Sequence, residues 1–395
     1  MNWPMAAIGE VCDVVSGATP KTGEPGHWGG DIRWATPKDL SELGQKYIAD
    51  TPRKITEQGL RSCSARMLPA QSVLFSSRAP IGLVAINTVP MCTNQGFKSL
   101  VPRNGAIATD YLYWWLKVHR SQMEGLGRGA TFKEISKKLV QQIKIPLPPP
   151  VQQKRIARIL DAADSLRARR RESLAQLDAL LQSTFLDLFG DPVTNPKGWR
   201  VGQLADVVER LDGGKNVAKS ETQTEFRVLK VSAVTSGTYK PDESKYLPVD
   251  FRVPDSSVVR QGDLLISRAN TVELIGATAY VWHTPENIVL PDKIWKFVWK
   301  SDVEIEPLFV YHLSRKTGFR RALSSRASGT SGSMKNIAKS KLLGLSIPLP
   351  PIDLQHRFAT IVEAVEQQKA RLRAHLAELD ALFASLEARA FNGEL

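Results

Sequence analysis

From Gln152 to Leu188 the chain carries neither glycine nor proline. Its apolar positions fall at heptad spacing: Ile156, Ile159, Ala163 and Leu166, then Leu177 and Leu180. Alanine, leucine, arginine and glutamine dominate the stretch, which is strong helix composition. About 36 residues at 1.5 Å each predict a rod of roughly 55 Å. A second stretch, Leu354 to Ala390, keeps the same phase with Phe358, Ile361, Val365, Leu372, Leu379, Leu382 and Leu386. Arg170 and Ser173 interrupt the first seam; Gln368 and His375 interrupt the second. A seam of this kind needs a partner helix, and the nearest candidate is the other copy in the same chain. An antiparallel pair is expected, holding two globular domains apart like a bar.

The segments before each rod have a different rhythm. Ser72–Ser76 and Leu83–Ile86 are short apolar runs bounded by turn residues, and predict strands. Gly23–Gly30 reads as a loop. Thr109–Val118 predicts a short helix with Asp110 as candidate cap and its aromatic residues on a buried face. The proline runs Pro146–Pro150 and Pro348–Pro351 cannot lie inside a helix, and separate these segments from the rods.

The chain says nearly the same thing twice. Ile135–Phe189 aligns with Ile337–Phe391 without a gap, including Ile145–Pro149 against Ile347–Pro351 and Leu174–Leu180 against Leu376–Leu382. Upstream the likeness loosens: Trp3 matches Trp199, Gln71–Ala79 matches Gln261–Ala269, and Tyr111–Leu116 falls opposite Leu308–Leu313. The expected fold class is α+β with a pseudo-two-fold internal repeat. Its order is a globular mixed domain at 1–148, a long helix at 149–190, a second globular domain at 191–349 and a second long helix at 350–395. Such a chain keeps one common docking element and carries two different readers.

Composition narrows the partners. The 395 residues suffice for two or three domains, and a net charge of +13, shared between the two halves, favours a polyanion. No apolar run approaches the ~20 residues needed to span a bilayer. The amino terminus does not read as a signal peptide, so a cytoplasmic protein with no membrane partner is expected. Cys12, Cys63 and Cys92 show no metal or disulfide spacing, and the six histidines show no i, i+4 ligand pair. No metal site is therefore expected.

A catalytic set is also missing from the sequence. There is no Asn/Asp-Pro-Pro-Tyr/Phe loop and no glycine-rich cofactor turn. Pro241–Lys245 resembles a nuclease Pro-Asp…Glu-x-Lys set, but Asp242 and Glu243 are adjacent and point to opposite faces if extended, so a solvated turn is expected. What remains is recognition. The first domain offers Lys38, Arg78, Asn94, Gln95, Lys98, Arg128, Thr131 and Lys133; the second offers Lys230, Arg268, Asp292, Lys293, Lys296, Arg326, Ser333 and Lys335. Cations anchor phosphates, and Asn, Gln, Arg and Lys also read base edges. Several pair across the repeat: Lys38 with Lys230, Arg78 with Arg268, Lys98 with Lys296, and Lys133 with Lys335.

The Ile-Pro-Leu-Pro-Pro…Gln-x-x-Arg segment leading into a long helix occurs twice, and Thr131–Lys138 and Ser76–Ile81 accompany it. In this the whole chain resembles the specificity (S) subunit of type I restriction–modification systems. The resemblance implies two target-recognition domains, each reading half of a split site in double-stranded DNA. It also implies an antiparallel helical spacer that docks two methyltransferase subunits, with restriction subunits joining in the full complex. The chain itself would catalyse nothing and hold no cofactor; S-adenosylmethionine, ATP and Mg²⁺ would belong to the partners. Two other readings are a self-sufficient nuclease or methyltransferase with unrecognised motifs, and a basic coiled-coil protein adaptor.

Overall fold

The computed structural model describes residues 3–103, 105–127, 133–217, 220–329 and 335–395. The chain divides into two compact units, Met1–Glu172 with Ala374–Leu395, and Ser173–Arg373. The two long helices run Pro150–Phe189 and Ile352–Ala390; against the expected 149–190 and 350–395 both start within two residues, and the second ends five residues earlier. The division falls inside both of them, so each unit holds one globular segment and one half of each long helix.

In the first unit a five-stranded sheet has the order Cys12–Ser16, Lys98–Pro102, Val73–Phe75, Val84–Asn87, Tyr47–Ile48. The first four are antiparallel neighbours and the last pair is parallel. Beside it Trp28–Ala35 pairs antiparallel with Lys54–Ile55 and parallel with Cys92–Thr93. Trp28 to Gly30, expected as loop, already belong to that strand, which shifts register between Trp28 and Ile32.

Among the described residues the second unit repeats this topology with other residues, apart from the edge strand Tyr47–Ile48, which has no counterpart. Val208–Gly213, Ile294–Trp299, Leu264–Ser267 and Thr278–Tyr280 form an antiparallel sheet in the same order. Arg227–Leu229 pairs antiparallel with Ser244–Tyr246 and parallel with Ile288–Val289. The repeat thus extends through the segments whose sequences diverge. Strand pairing depends on alternation and length, which many residues satisfy, whereas the sequence match depends on identity.

Each core is built where the half-helices meet an aromatic helix. In the first unit Tyr111, Leu112 and Trp114 of helix Thr109–Val118 pack with Ile156, Leu160, Ala163, Phe383 and Phe391. In the second, Phe309 of helix Pro307–Ser314 packs with Leu181, Phe185, Phe189, Phe358 and Val362. The half-helices are antiparallel within each unit. In the first, Arg171 and Arg167 both reach Asp380, and the Arg167 guanidinium lies over the Phe383 ring at 4.1 Å. In the second, Asp178 meets Lys369, and Phe185 and Phe189 meet Phe358.

The seam differs from the expected one in phase. Ile156, Ala163, Leu177, Phe358, Val365, Leu372, Leu379 and Leu386 are buried or half-buried as expected, and Ile159 is half-buried. Leu166, Leu180, Ile361 and Leu382, however, are 48%, 47%, 38% and 50% exposed. The second buried row lies one position later, at Leu160, Leu181, Val362, Lys369 and Phe383. Residues i+3 and i+4 both return to one helix face, so spacing alone does not choose between them. The face chosen is the one that also meets the globular segment, as Leu160 and Phe383 do in the first core. Gln368 and His375, expected as breaks in the second seam, are exposed and lie off it.

The junctions are held by a buried glutamine in each copy. Gln153 Oε1 accepts from Ala108 N at 2.7 Å while its Nε2 donates to Pro148 O at 2.8 Å. Gln355 accepts from Glu306 N at 3.0 Å and donates to Pro350 O at 2.8 Å. Ala108, not Asp110, stands at the N-cap position of helix Thr109–Val118, with no side-chain capping bond. Asp110 lies in its first turn, 2.6 Å from Lys46 Nζ. Lys46 also reaches Asp161 of the long helix at 2.6 Å; burial pulls its pKa down, but the bonds to the two carboxylates outweigh this and raise it. The first long helix ends at Gly190, whose φ of +77° suits glycine and whose N–H donates to Leu186 O at 2.8 Å.

Candidate nucleic-acid interface

In the first unit the ends of several strands converge. Ser77 N donates to Gly96 O, and Ile135 N donates to Ser77 O, which ties the turn after Val73–Phe75 to the 94–97 turn and to the segment before helix Lys137–Gln142. Arg78 projects from the first of these turns and is one-third exposed, 3.9 Å from Glu134. Asn94 N donates to Ala35 O, and Asn94 Oδ1 accepts from Gly96 N at 2.9 Å. Gln95 is exposed and accepts from the Thr19 hydroxyl. Lys38 is well exposed on helix Pro37–Glu42, beside Glu42 at 3.7 Å. Lys133 is exposed.

The second unit makes the same turn from other side chains. Arg268 Nε donates to Asp292 O at 2.6 Å, and its Nη2 lies 3.9 Å from Asp292 Oδ2. Arg268 N donates to Lys293 O, and Ile337 N donates to Arg268 O. The guanidinium sits 5.7 Å from the Trp295 ring centre. Asn270 pairs with Lys335, whose Nζ donates to Gly329 O at 3.1 Å. Lys230 is exposed, 3.8 Å from Glu243.

Some expected contact residues are placed elsewhere. Lys98 and Lys296 are buried, at 8% and 6% exposure, so neither offers its charge to a surface ligand. Lys98 donates to Glu134 at 3.0 Å. Lys296 donates to Val258 O at 2.8 Å and lies 3.5 Å from Asp263, whose carboxyl burial holds above its usual pKa. Both lysines sit on strands with apolar neighbours on each face, Lys98–Pro102 and Ile294–Trp299. Such runs signal burial on both sides, and that signal was available in the sequence. Arg326 is exposed but donates to Gly344 O at 2.8 Å, at the end of the short helix Lys339–Leu343. Arg128, Thr131 and Ser333 lie outside the described residues.

Lys215 and Lys245 were missed by sequence reasoning. With Lys230, Lys293 and Asp292 they line a single cleft of about 280 Å³ in the second unit. Nothing in their spacing joins them, since they come from different segments and only the strand order brings them together. The arrangement has donors and fixed positive charge. Among the described residues no three His, Cys, Asp or Glu side chains gather as a metal site would require, and no helix is long and apolar enough to cross a membrane. Asp242 and Glu243 lie in the turn before strand Ser244–Tyr246, where Glu243 accepts from Ser232 Oγ at 2.8 Å.

The chain is similar to known proteins in sequence and in fold. The chain is 34% identical over 237 residues to the type I restriction enzyme MjaIX specificity subunit of Methanocaldococcus jannaschii, covering 56% of this chain and 54% of the relative. It is 26% identical over 274 residues to the MjaVIII specificity subunit of the same organism, covering 65% of this chain and 63% of that one. The likeness to the EcoKI specificity subunit of Escherichia coli is weaker, 24%, but covers the whole chain and 89% of the relative. Among solved structures, the S subunit of a type I restriction–modification system from M. genitalium shares the fold, with a TM-score of 0.62 over 99% of this chain and 96% of that one at 14% identity. The model of the type I restriction modification DNA specificity domain matches twice, at residues 1–177 and 196–380, the two copies already seen in sequence and in strand order. This chain therefore belongs to the family of type I restriction–modification specificity subunits.

Proposed function

We propose that the chain is the non-catalytic, sequence-reading subunit of a type I restriction–modification complex. Each globular segment reads one half of a bipartite site in double-stranded DNA. The long helices dock two methyltransferase subunits, which supply S-adenosylmethionine. Restriction subunits with ATP and Mg²⁺ complete the assembly. The observation that carries this reading is one strand topology built twice with different side chains at equivalent turns: Arg78 with Asn94 and Gln95 in one copy, Arg268 with Asp292 and Lys293 in the other. Equal scaffolds with unequal turns suit a two-part site whose halves differ.

The helices support the docking role. Leu166, Leu180, Ile361 and Leu382 stay exposed on them, and Leu180 and Leu382 are equivalent positions of the repeat. Apolar side chains repeated on two equivalent surfaces suit two copies of one partner.

Long-read methylation mapping in a host carrying this chain and its partner methyltransferase tests the reading. The expected result is one motif of two different halves separated by a gap of undefined bases. A single contiguous motif would overturn it, as would methylation by this chain alone. Adding whole turns to both long helices should change the gap and leave the two halves as they were.

A further inference from the structure

We infer that the four-lysine cleft of the second unit is where a phosphodiester segment of the DNA backbone is gripped. This rests on the DNA-reading role proposed above and adds a site to it. The cleft is lined by Lys215, Lys230, Lys245 and Lys293, with Asn216 and Asp292 on its walls. Lys215 follows strand Val208–Gly213, Lys230 follows Arg227–Leu229, Lys245 lies on Ser244–Tyr246, and Lys293 precedes Ile294–Trp299.

The walls are set by the backbone. Gly214 N donates to Pro291 O at 3.0 Å, and a Cβ at Gly214 would fall 1.6 Å from Leu290 O. Only glycine permits that approach, which brings Lys215 against the 290–293 segment. Lys245 Nζ donates to Val217 O at 2.7 Å and pins the other end of the 215–217 stretch. Four lysines thus line one concavity, with Asp292 on its wall and Glu243 3.8 Å from Lys230. Positive charge in a concave, low-dielectric wall focuses potential and draws in anions.

The choice of anion follows from size and place. About 280 Å³ lies below the usual range for sites that enclose a small molecule. That volume suits one phosphate group of a longer chain better than a whole enclosed ligand. Lys293 also accepts the backbone bond of Arg268, so the cleft adjoins the turn assigned to base reading. A strand held there by its phosphates would present bases to that turn.

The test uses the full chain with its partner methyltransferase and a duplex carrying the mapped site, read by fluorescence anisotropy across a KCl series. The variant Lys215→Gln/Lys230→Gln/Lys293→Gln leaves the Lys245 bond intact. Its log-log salt slope should be shallower than the parent's by about 2 to 3, one contact per lysine removed. Lysine acetylation footprinting of the unaltered chain provides a second readout should the variant fold poorly: bound duplex should shield Lys215, Lys230 and Lys293 while Lys197 stays reactive. A parent that binds steeply beside a variant of unchanged slope would overturn the cleft and leave the DNA-reading role standing. Acetylation unaffected by duplex would do the same. Saturable pyrophosphate binding in the cleft that duplex does not displace would show a free-anion site and overturn it as well. A parent with no affinity for duplex would overturn both inferences.

Discussion

Lys369 Nζ lies 2.7 Å from Asp178 Oδ1, joining the two half-helices of the second unit. The equivalent positions of the other copy are Arg167 and Asp380, and in the first unit they meet at 2.6 Å. The lysine side chain is 6% exposed and also contacts Glu366. A buried cation that loses a carboxylate keeps its desolvation cost. Asp178→Asn is expected to destabilise by about 1.5–3 kcal/mol, the range for a hydrogen bond to a charged group, and Asp380→Asn by less because the Arg167 side chain, at 18% exposure, is less buried than Lys369. Chemical denaturation measures both. Unchanged midpoints would mean that the pairs are incidental to the helix register.

The buried glutamines make a second prediction. Gln153→Ala would leave Ala108 N and Pro148 O without their present partners, and Gln355→Ala would do so for Glu306 N and Pro350 O. Each substitution should cost about 2–4 kcal/mol, with the loss concentrated at the junction between globular segment and long helix. Amide exchange at Ala108 or Glu306 should quicken in the matching variant. Equal protection in variant and parent would count against the role assigned to the glutamine.

His312 gives a pH dependence. Its ring is buried against Phe358, and burial first, then the charges of Arg315, Lys316 and Lys369, push its pKa from 6.5 down to about 3. A histidine whose folded pKa lies below its unfolded value adds stability above the unfolded value and loses it as pH falls. The loss should begin near pH 6.5 and continue toward pH 3, at up to about 1.4 kcal/mol per pH unit. In His312→Phe this component should vanish, so the parent should lose stability relative to the variant on acidification. Parallel curves from pH 7 to 5 would show that His312 is not the group responsible.

The exposed row on the long helices offers a test of docking. Leu180→Glu with Leu382→Glu changes side chains that are about half exposed, so the melting temperature should hardly move. Co-purification of the methyltransferase should fall at least tenfold if these leucines contact it. Retention of the partner at parental yield would place the docking surface elsewhere.

Much of the fold was legible in the sequence because its signals are local. Gln152–Leu188 lacks glycine and proline, and the helix observed is Pro150–Phe189. The doubling of Ile135–Phe189 in Ile337–Phe391 announced two like units, and the structure has them. The seam's second row was not legible. Leu166 and Leu160 are equally good seam residues by composition, and only the position of the aromatic helix Thr109–Val118 buries one and exposes the other. The candidate interface divided in the same way. Arg78 and Arg268 stand at the ends of strands, each between a serine and an alanine, while Lys98 and Lys296 are enclosed by strands on both sides.

The sequence by itself determined the repeat, the two rods and their antiparallel partnership, since helix propensity and apolar period act over neighbouring residues. Tertiary structure decided which helix face is covered, which lysines keep their charge at the surface, and that Lys215, Lys230, Lys245 and Lys293 share one cleft. Those outcomes depend on the order of strands brought together from positions up to about 80 residues apart, and no local preference encodes that order.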